Sequence, residues 1–453
     1  MLGISRLSVF MALILIAPVR LAPGQAPEKP LTLRDAVQLA LERNPEIKIA
    51  QDQKQELQGK IQEVRAGAFP QLTVDGTGLR MRDPSFLNSP SFDKVPEEFR
   101  NALSVRSSNL FDFAVTLKQP LYTAGKVRNA VLLAEEGVKE KEAALEMARQ
   151  RVTFKVFQAF HDILLAEENL ALIRETYEQR QKHLEMARNR LAQGVATEID
   201  VLRSQVNLAN LEPDRIRAGN LVRLAQAALN NLIMVDLDLP VDVEGKLEHR
   251  PWSLPPLEEM QARAGEMRPE LIVARRQLGE ARILLALAKA ENKLSVDLES
   301  RFGYSTRDPL HMFNYNFSRW NFQVNFRLPF YDSGRKAGLV EQALARMNVA
   351  EHNLAQLLNN VGLEIKRAYD DLRSSAEAIA AARLNVSQAE RVLAMMQANY
   401  QYGAATTLDV VDSQAALTVA RNAQMNATYE YDIAKARLRL AAGSPILDEE
   451  EKP

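Results

Sequence analysis

The chain has 453 residues, no cysteine and five histidines, and 57 Lys and Arg balance 58 Asp and Glu. The lack of cysteine excludes a disulfide framework and a cysteine-ligated zinc site, and a net charge of −1 provides no field that would gather nucleic acid. The sequence contains no phosphate-binding glycine loop, nucleophile constellation or metal-spaced histidine cluster. We therefore expect that the chain is not an enzyme and that it binds no cofactor, metal ion or nucleic acid.

The N-terminus has the pattern of a secretory signal peptide. Arg6 precedes a mostly apolar run, Leu7 to Val19, and small residues such as Ala22 and Gly24 follow. A membrane anchor is the alternative, but a run this short cannot span a hydrocarbon core of about 30 Å as a helix. The sequence predicts a cleaved signal peptide over residues 1–24 and no transmembrane helix elsewhere.

Repeat 1, residues 25–234, opens with a predicted helix from Ile47 to Ala68, after a break at Asn44-Pro45-Glu46. Two segments then change to a period of two residues, which predicts strands at about 71–80 and 111–119. Two further strands are predicted in repeat 2, at about 294–304 and 320–330. Strand four is the clearest, because Asn321, Gln323 and Asn325 alternate with apolar residues.

Alternation over about ten residues, with charges on one face and aromatic residues at the ends of the other, is typical of a transmembrane β-barrel with a wet lumen. A half-buried soluble sheet alternates equally well. The signal peptide and the charged face favour the barrel. The predicted lipid-facing residues are Phe113, Val115, Leu117, Leu294, Val296, Leu298, Phe322, Val324 and Phe326.

Each predicted pair of strands leads into a very long helix, from Gly125 to Gln193 and from Gly334 to Tyr402. Neither stretch contains proline, and each is about 69 residues, or about 100 Å of helix. Apolar residues recur with a period of 3.5 from Leu354 to Tyr400, interrupted clearly only by Ser375. This pattern predicts a left-handed coiled-coil seam.

Both long helices end at a glycine, Gly194 or Gly403, and a capping-box pattern follows, Thr197 with Asp200 or Thr406 with Asp409. Return helices are therefore predicted to about Met234 and Ala442, which completes two helical hairpins. Residues 235–256 are predicted to form a linker with one short strand. Repeat 2 then covers 257–443, opening with a helix from Leu271 to Ala290, and a tail covers 444–453.

The chain is an internal duplication. The segment Phe113 to Val127 reappears as Phe322 to Lys336, a shift of 209 residues, and Arg190 to Gln205 matches Asn399 to Gln414 at the same shift. The two halves are expected to share one plan with identical element lengths. The fold class is therefore mostly helical, with four β-strands per chain.

Four strands cannot close a barrel, and an open edge in hydrocarbon costs several kcal/mol for each unpaired backbone group. The chain is expected to oligomerise for this reason. Two copies would give eight strands and a filled interior, and three would give twelve strands and room for a pore. The helices would form a second cylinder of the same symmetry.

From about Leu31 to Gly443 the sequence resembles the TolC-like outer-membrane efflux proteins. The resemblance rests on the order and spacing of several motifs, together with the two hairpin tips. These motifs are Leu31-Thr32-Leu33-Arg34-Asp35-Ala36, Asn44-Pro45-Glu46, Phe69-Pro70-Gln71-Leu72, Gln119-Pro120-Leu121-Tyr122 and Leu328-Pro329-Phe330-Tyr331. One departure is Asn292, which replaces the proline expected where the third strand starts.

The resemblance implies a homotrimer with a twelve-stranded barrel in outer-membrane lipid and a helical tunnel through the periplasm. It also implies docking to an inner-membrane pump through a periplasmic adaptor. Asp409 and Asp412 match the family's ring of aspartates, and Asp200 and Tyr400 match a pair that closes the tunnel tip. The family's arginine beside the second tip is replaced by Ala405.

Some of these site residues also have a simpler structural interpretation. Helix capping explains Asp200 and Asp409, and it is compatible with a gate role, whereas Asp412 has no capping explanation. Gly194, Val195, Gly403 and Ala404 fit ordinary turn residues, and adaptor contact is their second, family-derived role. The leading functional hypothesis is a passive exit duct. The alternatives are a secreted coiled-coil scaffold with soluble sheets and an intracellular coiled-coil adaptor, which the signal peptide disfavours.

Overall fold

The computed structural model describes residues 30–81, 94, 96, 98, 108–306 and 308–447. The predicted signal peptide and the last six residues of the predicted tail lie outside this part of the chain. The first repeat contains α1 (Leu33–Arg43), α2 (Pro45–Ala66), β1 (Gln71–Met81), β2 (Ser108–Tyr122), α3 (Lys126–Ala192), α4 (Glu198–Ala209) and α5 (Glu212–Ile233). The second contains α6 (Leu257–Met267), α7 (Pro269–Lys289), β3 (Ser295–Thr306), β4 (Ser318–Arg327), α8 (Arg335–Gln401) and α9 (Thr407–Ala441).

The two predicted long helices are present as α3 and α8, each 67 residues long. Both start after the same tight turn, in which Ala124 and Gly125, or Ser333 and Gly334, have positive φ. Most of the predicted 3.5-residue seam of α8 between Val361 and Ile379 is buried, including Ser375. The Ser375 hydroxyl donates a hydrogen bond to the backbone oxygen of Asp371, which satisfies this polar interruption.

The expectation of identical element lengths is wrong for the return helices. In the second hairpin α9 runs unbroken for 35 residues, but in the first hairpin the chain breaks at Asn210 and Leu211 between α4 and α5. Pro213 lies in the first turn of α5. Proline has no N–H and its ring clashes with the preceding turn, so the helix must restart there.

The four strands form one antiparallel sheet in the order β1-β2-β3-β4, so the repeats join through the pairing of β2 with β3. Strand four covers 318–327 rather than the predicted 320–330. Pro329 cannot donate to a ladder, so the strand ends before it. Leu294, predicted within strand three, lies just before β3. Gly303 faces Ala114 so closely that an added Cβ would lie 2.2 Å from the Phe113 carbonyl oxygen.

The start of β3, where Asn292 departs from the family pattern, is held by side chains instead. The Asn292 amide donates to the Asp332 carboxylate, which also accepts from the backbone N–H groups of Gly334, at 3.1 Å, and Lys336, at 2.8 Å. The Glu291 carboxylate accepts from the Arg335 guanidinium at 2.8 Å and the Lys126 ammonium at 3.1 Å. Glu291 therefore contacts the first residue of both long helices.

Among the described residues the helices pack around two large apolar clusters and two small ones. The first large cluster lies among α1, α3, α5, the linker and part of α9, and the second lies among α6, α7, α8 and α9. The small clusters lie near the tips, one between α8 and α9 that includes Tyr400 and one between α3 and α4. Helix α7 packs between α3 and α8, whereas α2 packs along α3 and leaves its other side exposed. The predicted linker strand is reduced to a single parallel bridge between Leu31 and Val243.

No helix in the described ranges is both long and apolar enough to cross a membrane.

Candidate functional site at the hairpin tips

The two hairpin tips have the same backbone conformation. Gly194 and Gly403 have φ values of +75° and +77°, the left-handed conformation that glycine adopts without strain. The next N–H closes the turn, from Val195 to the Arg190 oxygen at 3.0 Å and from Ala404 to the Asn399 oxygen at 2.8 Å. This pattern is a Schellman motif, which satisfies the last carbonyl groups of the long helices.

Both predicted capping boxes are formed. The Asp200 carboxylate accepts from the Thr197 backbone N–H at 3.0 Å and from its hydroxyl at 2.7 Å, and Asp409 accepts from the same two groups of Thr406 at 2.8 and 2.7 Å. Hydrogen bonds from Thr197 and Thr406 hold the pKa values of Asp200 and Asp409 below the usual carboxyl range. Capping and ionisation therefore support each other at both tips.

Tyr400 is the most enclosed of the predicted gate residues, with 8% of its surface exposed. The Arg190 guanidinium lies 4.4 Å from the centre of its ring, and Arg190 Nη1 donates to its backbone oxygen at 2.8 Å. The His183 ring lies 5.6 Å away, centre to centre. The Tyr400 hydroxyl lies 3.4 Å from the hydroxyl of Thr407, the first residue of α9.

Thr407 connects the predicted closing pair. Besides its approach to Tyr400, the Thr407 side chain interacts with the Asp200 carboxylate of the first hairpin and, after the larger effect of Thr197, helps to lower its pKa. Asp200 and Tyr400 are therefore brought to the same end of the hairpins, as expected, but within one chain the contact between them passes through Thr407.

Asp409 and Asp412 lie on one face of α9, three residues apart, and both are exposed. One chain does not bring copies of these carboxylates together, so the aspartate ring stays a prediction. The four predicted adaptor-contact residues, Gly194, Val195, Gly403 and Ala404, form the exposed surface of the two turns. Val195 is 60% exposed although its side chain is apolar.

The first hairpin contacts the second through polar side chains at three levels. The Tyr429 hydroxyl donates to the Asp162 carboxylate at 2.6 Å. Nearer the tip, the Arg421 guanidinium binds Glu175 at 2.9 Å and Glu390 at 3.1 Å. Arg190 and Tyr400 form the third level. Apolar packing also joins the hairpins, because Ile433 and Ala436 of α9 lie in the cluster around α3. The polar contacts nearer the tips can exchange with water, so the tip ends can separate at lower cost.

Sequence analysis did not single out Arg190, His183 or Thr407. The signal available was a difference between the repeats, because these positions correspond to Asn399, Val392 and Glu198 at the shift of 209 residues. Both ring nitrogens of His183 are buried without a hydrogen-bond partner among the described residues. Burial lowers the pKa of His183, so its ring is neutral beside Tyr400.

The sheet has an apolar face and a polar face. The polar face contains Asp112, which binds the guanidinium groups of Arg301 and Arg319 on β3 and β4. The apolar face contains the predicted lipid-facing residues of β2, β3 and β4, with Phe322 63% and Phe326 71% exposed. At one end of this face Phe313 packs edge-on against Phe113 and Tyr304. Across the described ranges no group of His, Asp or Glu side chains is arranged to hold a metal ion.

Comparison with known proteins gives the same fold. The family model described as outer membrane efflux protein matches residues 36–233 and 262–444. Outer membrane protein TolC of Vibrio cholerae is 22% identical over 348 residues, covering 76% of this chain and 79% of the relative. Alkaline protease secretion protein AprF of Pseudomonas aeruginosa is 22% identical over 428 residues, covering 92% and 85%. The crystal structure of the Campylobacter jejuni CmeC outer membrane channel superposes with a TM-score of 0.79 at 19% identity, covering 91% of this chain and 85% of that one. The chain belongs to the outer membrane efflux protein family.

Proposed function

We propose that three copies of this chain form a passive exit duct, closed at rest by the hairpin tips. Family membership makes the chain an outer-membrane channel component with a helical tunnel in the periplasm. The observation that carries the proposal is the combination of an exposed apolar sheet face, two open sheet edges and long polar-surfaced hairpins in one chain. Cargo would cross without chemistry, driven by an inner-membrane pump reached through a periplasmic adaptor.

The open edges support an oligomeric barrel. Strands β1 and β4 each pair on one side within the chain, and an unpaired edge in lipid costs several kcal/mol per group. Pairing β1 of one chain with β4 of the next closes the sheet. Three chains would supply twelve strands, which leave room for a pore, whereas eight strands would be filled by side chains.

The helices support the same arrangement. Helix α7 fills the space between α3 and α8, and α2 occupies the equivalent place in repeat 1, where among the described long helices it packs against α3. The missing neighbour of α2 would be α8 of an adjacent chain. Apolar side chains are exposed on the part of α8 that α2 could reach: Leu344, Val349 and Leu363. Burying them would stabilise the assembly by about 25 cal/mol per Å² of apolar surface.

The gate is proposed at Tyr400, Asp200, Asp409 and Asp412. A threefold axis through the tips would gather three copies of each aspartate, and carboxylates held together attract cations. The resting tip would then be narrow and cation-selective. The exposed turns at Gly194, Val195, Gly403 and Ala404 are the surfaces proposed to meet the adaptor.

Single cysteines test the barrel, because the native chain has none. Cysteine at Phe322, Val324 or Phe326 should be shielded by lipid from a water-soluble maleimide, and cysteine at Asn321, Gln323 or Asn325 should be labelled. A one-residue slip would exchange the two sets. Cysteine at exposed Val195 serves as the labelled control. Equal labelling along β4 would contradict the barrel.

Small-angle scattering of the protein in detergent tests the trimer. A scattering profile of a compact monomer would contradict it.

Channel recordings test the gate separately. The double variant Tyr400→Phe with Asp200→Ala removes both ends of the contact through Thr407 and should raise single-channel conductance in a planar bilayer. Unchanged conductance would reduce these residues to packing and helix capping, and the duct itself would stand.

A further inference from the structure

Arg190 holds both the backbone and the ring of Tyr400. Its Nη1 donates to the Tyr400 carbonyl oxygen at 2.8 Å, and its guanidinium carbon lies 4.4 Å from the ring centre. A hydrogen bond from a charged donor is stronger than a neutral one, and a guanidinium over an aromatic face adds a cation–π attraction. The contact joins the end of α3 to the end of α8, 210 residues apart in the chain.

The contact also acts on the tip turn. The same Tyr400 oxygen accepts the Gly403 N–H at 3.2 Å, which belongs to the turn that reverses the second hairpin. The Tyr400 hydroxyl approaches Thr407 on the far side of that turn. His183 contacts the ring but is buried and has no hydrogen-bond partner among the described residues. Within the described part of the first hairpin, Arg190 is therefore the cationic group that contacts Tyr400 directly.

The contact has no counterpart at the repeat-related positions. A shift of 209 residues converts Arg190 to Asn399 and Tyr400 to Leu191. Asn399 carries no charge, and Leu191 has neither an aromatic face nor a hydroxyl. In a trimer, six hairpins would alternate around a ring. The two hairpins of one chain would meet at Arg190 and Tyr400, whereas hairpins of adjacent chains would meet at Asn399 and Leu191.

We propose that Arg190 is a positioning residue of the gate, which ties the two hairpins of one chain together and holds Tyr400 in the closed tip. The inference rests on the proposed gate role of Tyr400. It assigns to the first hairpin the cationic tie that Ala405 cannot provide in the second.

We call the contact of Arg190 with Tyr400 the tie. Single-channel recordings of purified trimers in planar bilayers test it with four variants. Arg190→Gln keeps a polar side chain but is shorter and loses the charge, and the ratio of open to closed tips should rise by about tenfold. Arg190→Lys keeps the charge without the planar fork and should give an intermediate ratio. Asn399→Ala is the matched control at the equivalent exposed position and should behave as the native protein. The fourth variant is the Tyr400→Phe, Asp200→Ala double substitution.

The outcomes separate the tie from the gate. A rise in Arg190→Gln with no change in Asn399→Ala supports the tie. No rise in Arg190→Gln alongside a rise in the double variant overturns the tie and leaves the gate. Equal rises in Arg190→Gln and Asn399→Ala also overturn it, because they indicate general loosening. No rise in either Arg190→Gln or the double variant removes both proposals. If Arg190→Gln does not assemble, Arg190→Lys decides, and native conductance in that variant counts against the tie.

Discussion

The two hairpins have the same backbone at their tips but different side chains on it. Each long helix ends in a Schellman turn at a left-handed glycine, and each return helix starts with a Thr-Asp capping box. Tyr400, however, replaces Leu191, and Asp412 replaces Arg203, at the shift of 209 residues. The turn geometry depends on a few backbone requirements, so duplication preserves it, while the side chains are free to diverge.

The divergence also changes the charge at the tips. The first two turns after the tips carry Glu198, Asp200 and Arg203 in hairpin 1 and Asp409 and Asp412 in hairpin 2. The first set has a formal charge of −1 and the second has a formal charge of −2. Tyr400 and Thr407 of the second hairpin also receive contacts from Arg190 and Asp200 of the first. Tyr400, Asp412 and Arg190 are therefore positions at which the copies differ, whereas Asp200 and Asp409 are the same residue at equivalent positions.

The largest effect is expected where the repeats join in the sheet. Gly303→Ala would place a Cβ 2.2 Å from the Phe113 carbonyl oxygen and 2.8 Å from the Ala114 Cα. Backbone atoms cannot move aside as a side chain can, so the substitution should cost about 3 kcal/mol or more. Thermal unfolding and yield of the outer-membrane protein measure it. Gly76→Ala in β1 is the control, because no atom lies within 4 Å of its added Cβ. Similar losses of stability in both variants would contradict the explanation that Gly303 is needed because β2 lies so close to it.

The sequence was sufficient for elements whose cause is local. A 3.5-residue period sustained over many turns predicted α3 and α8, and the Thr-x-x-Asp spacing predicted both capping boxes. Pro213 is a local signal for the break after α4, but the expectation of identical element lengths in the two repeats led to the prediction of an unbroken return helix. The hydrogen bond from Arg190 to Tyr400 was beyond sequence reasoning, because it depends on how two helix ends 210 residues apart are placed.

The second prediction separates the two capping aspartates. Asp200→Ala removes a cap and also the interaction with Thr407, so open probability should rise several-fold, whereas Asp409→Ala removes a cap and one member of the proposed aspartate ring but leaves the contact between Thr407 and Tyr400 in place, so open probability should rise less. Hydrogen exchange in that turn and in α4 reports the cap loss in each variant. Because Thr197 lowers the pKa of Asp200, its stabilisation is complete above about pH 4 and is lost only as pH falls through the lowered value. Open probability that rises equally in both variants would contradict the asymmetry.

The third prediction concerns the charge difference. Asp412→Ala should weaken block by divalent cations applied from the periplasmic side by a few-fold, because it removes one of two carboxylates on that face of α9. Arg203→Ala, at the equivalent position of the first hairpin, removes a positive charge and should not weaken the block. Conductance titrated with a divalent cation measures both. If divalent cations block the Asp412→Ala channel as strongly as they block the native channel, Asp412 is not part of the cation-binding ring.

The smallest effect is expected between α3 and α7. Burial, with a further contribution from Glu140, raises the pKa of Glu280 to about 6. A carboxyl with a raised folded-state pKa contributes its stability below the unfolded value, near 4.3, and loses it as pH rises through about 6. The packing should therefore weaken between about pH 4 and 6, by about 1 kcal/mol, because Glu280 is only partly buried and solvent screens part of the effect. Glu280→Gln should remove this part of the pH dependence of thermal unfolding. Glu56→Gln, at the equivalent position on exposed α2, should retain it. A native pH profile in Glu280→Gln would show that ionisation of this carboxyl does not oppose the packing of α7, and that the two repeats respond to pH alike.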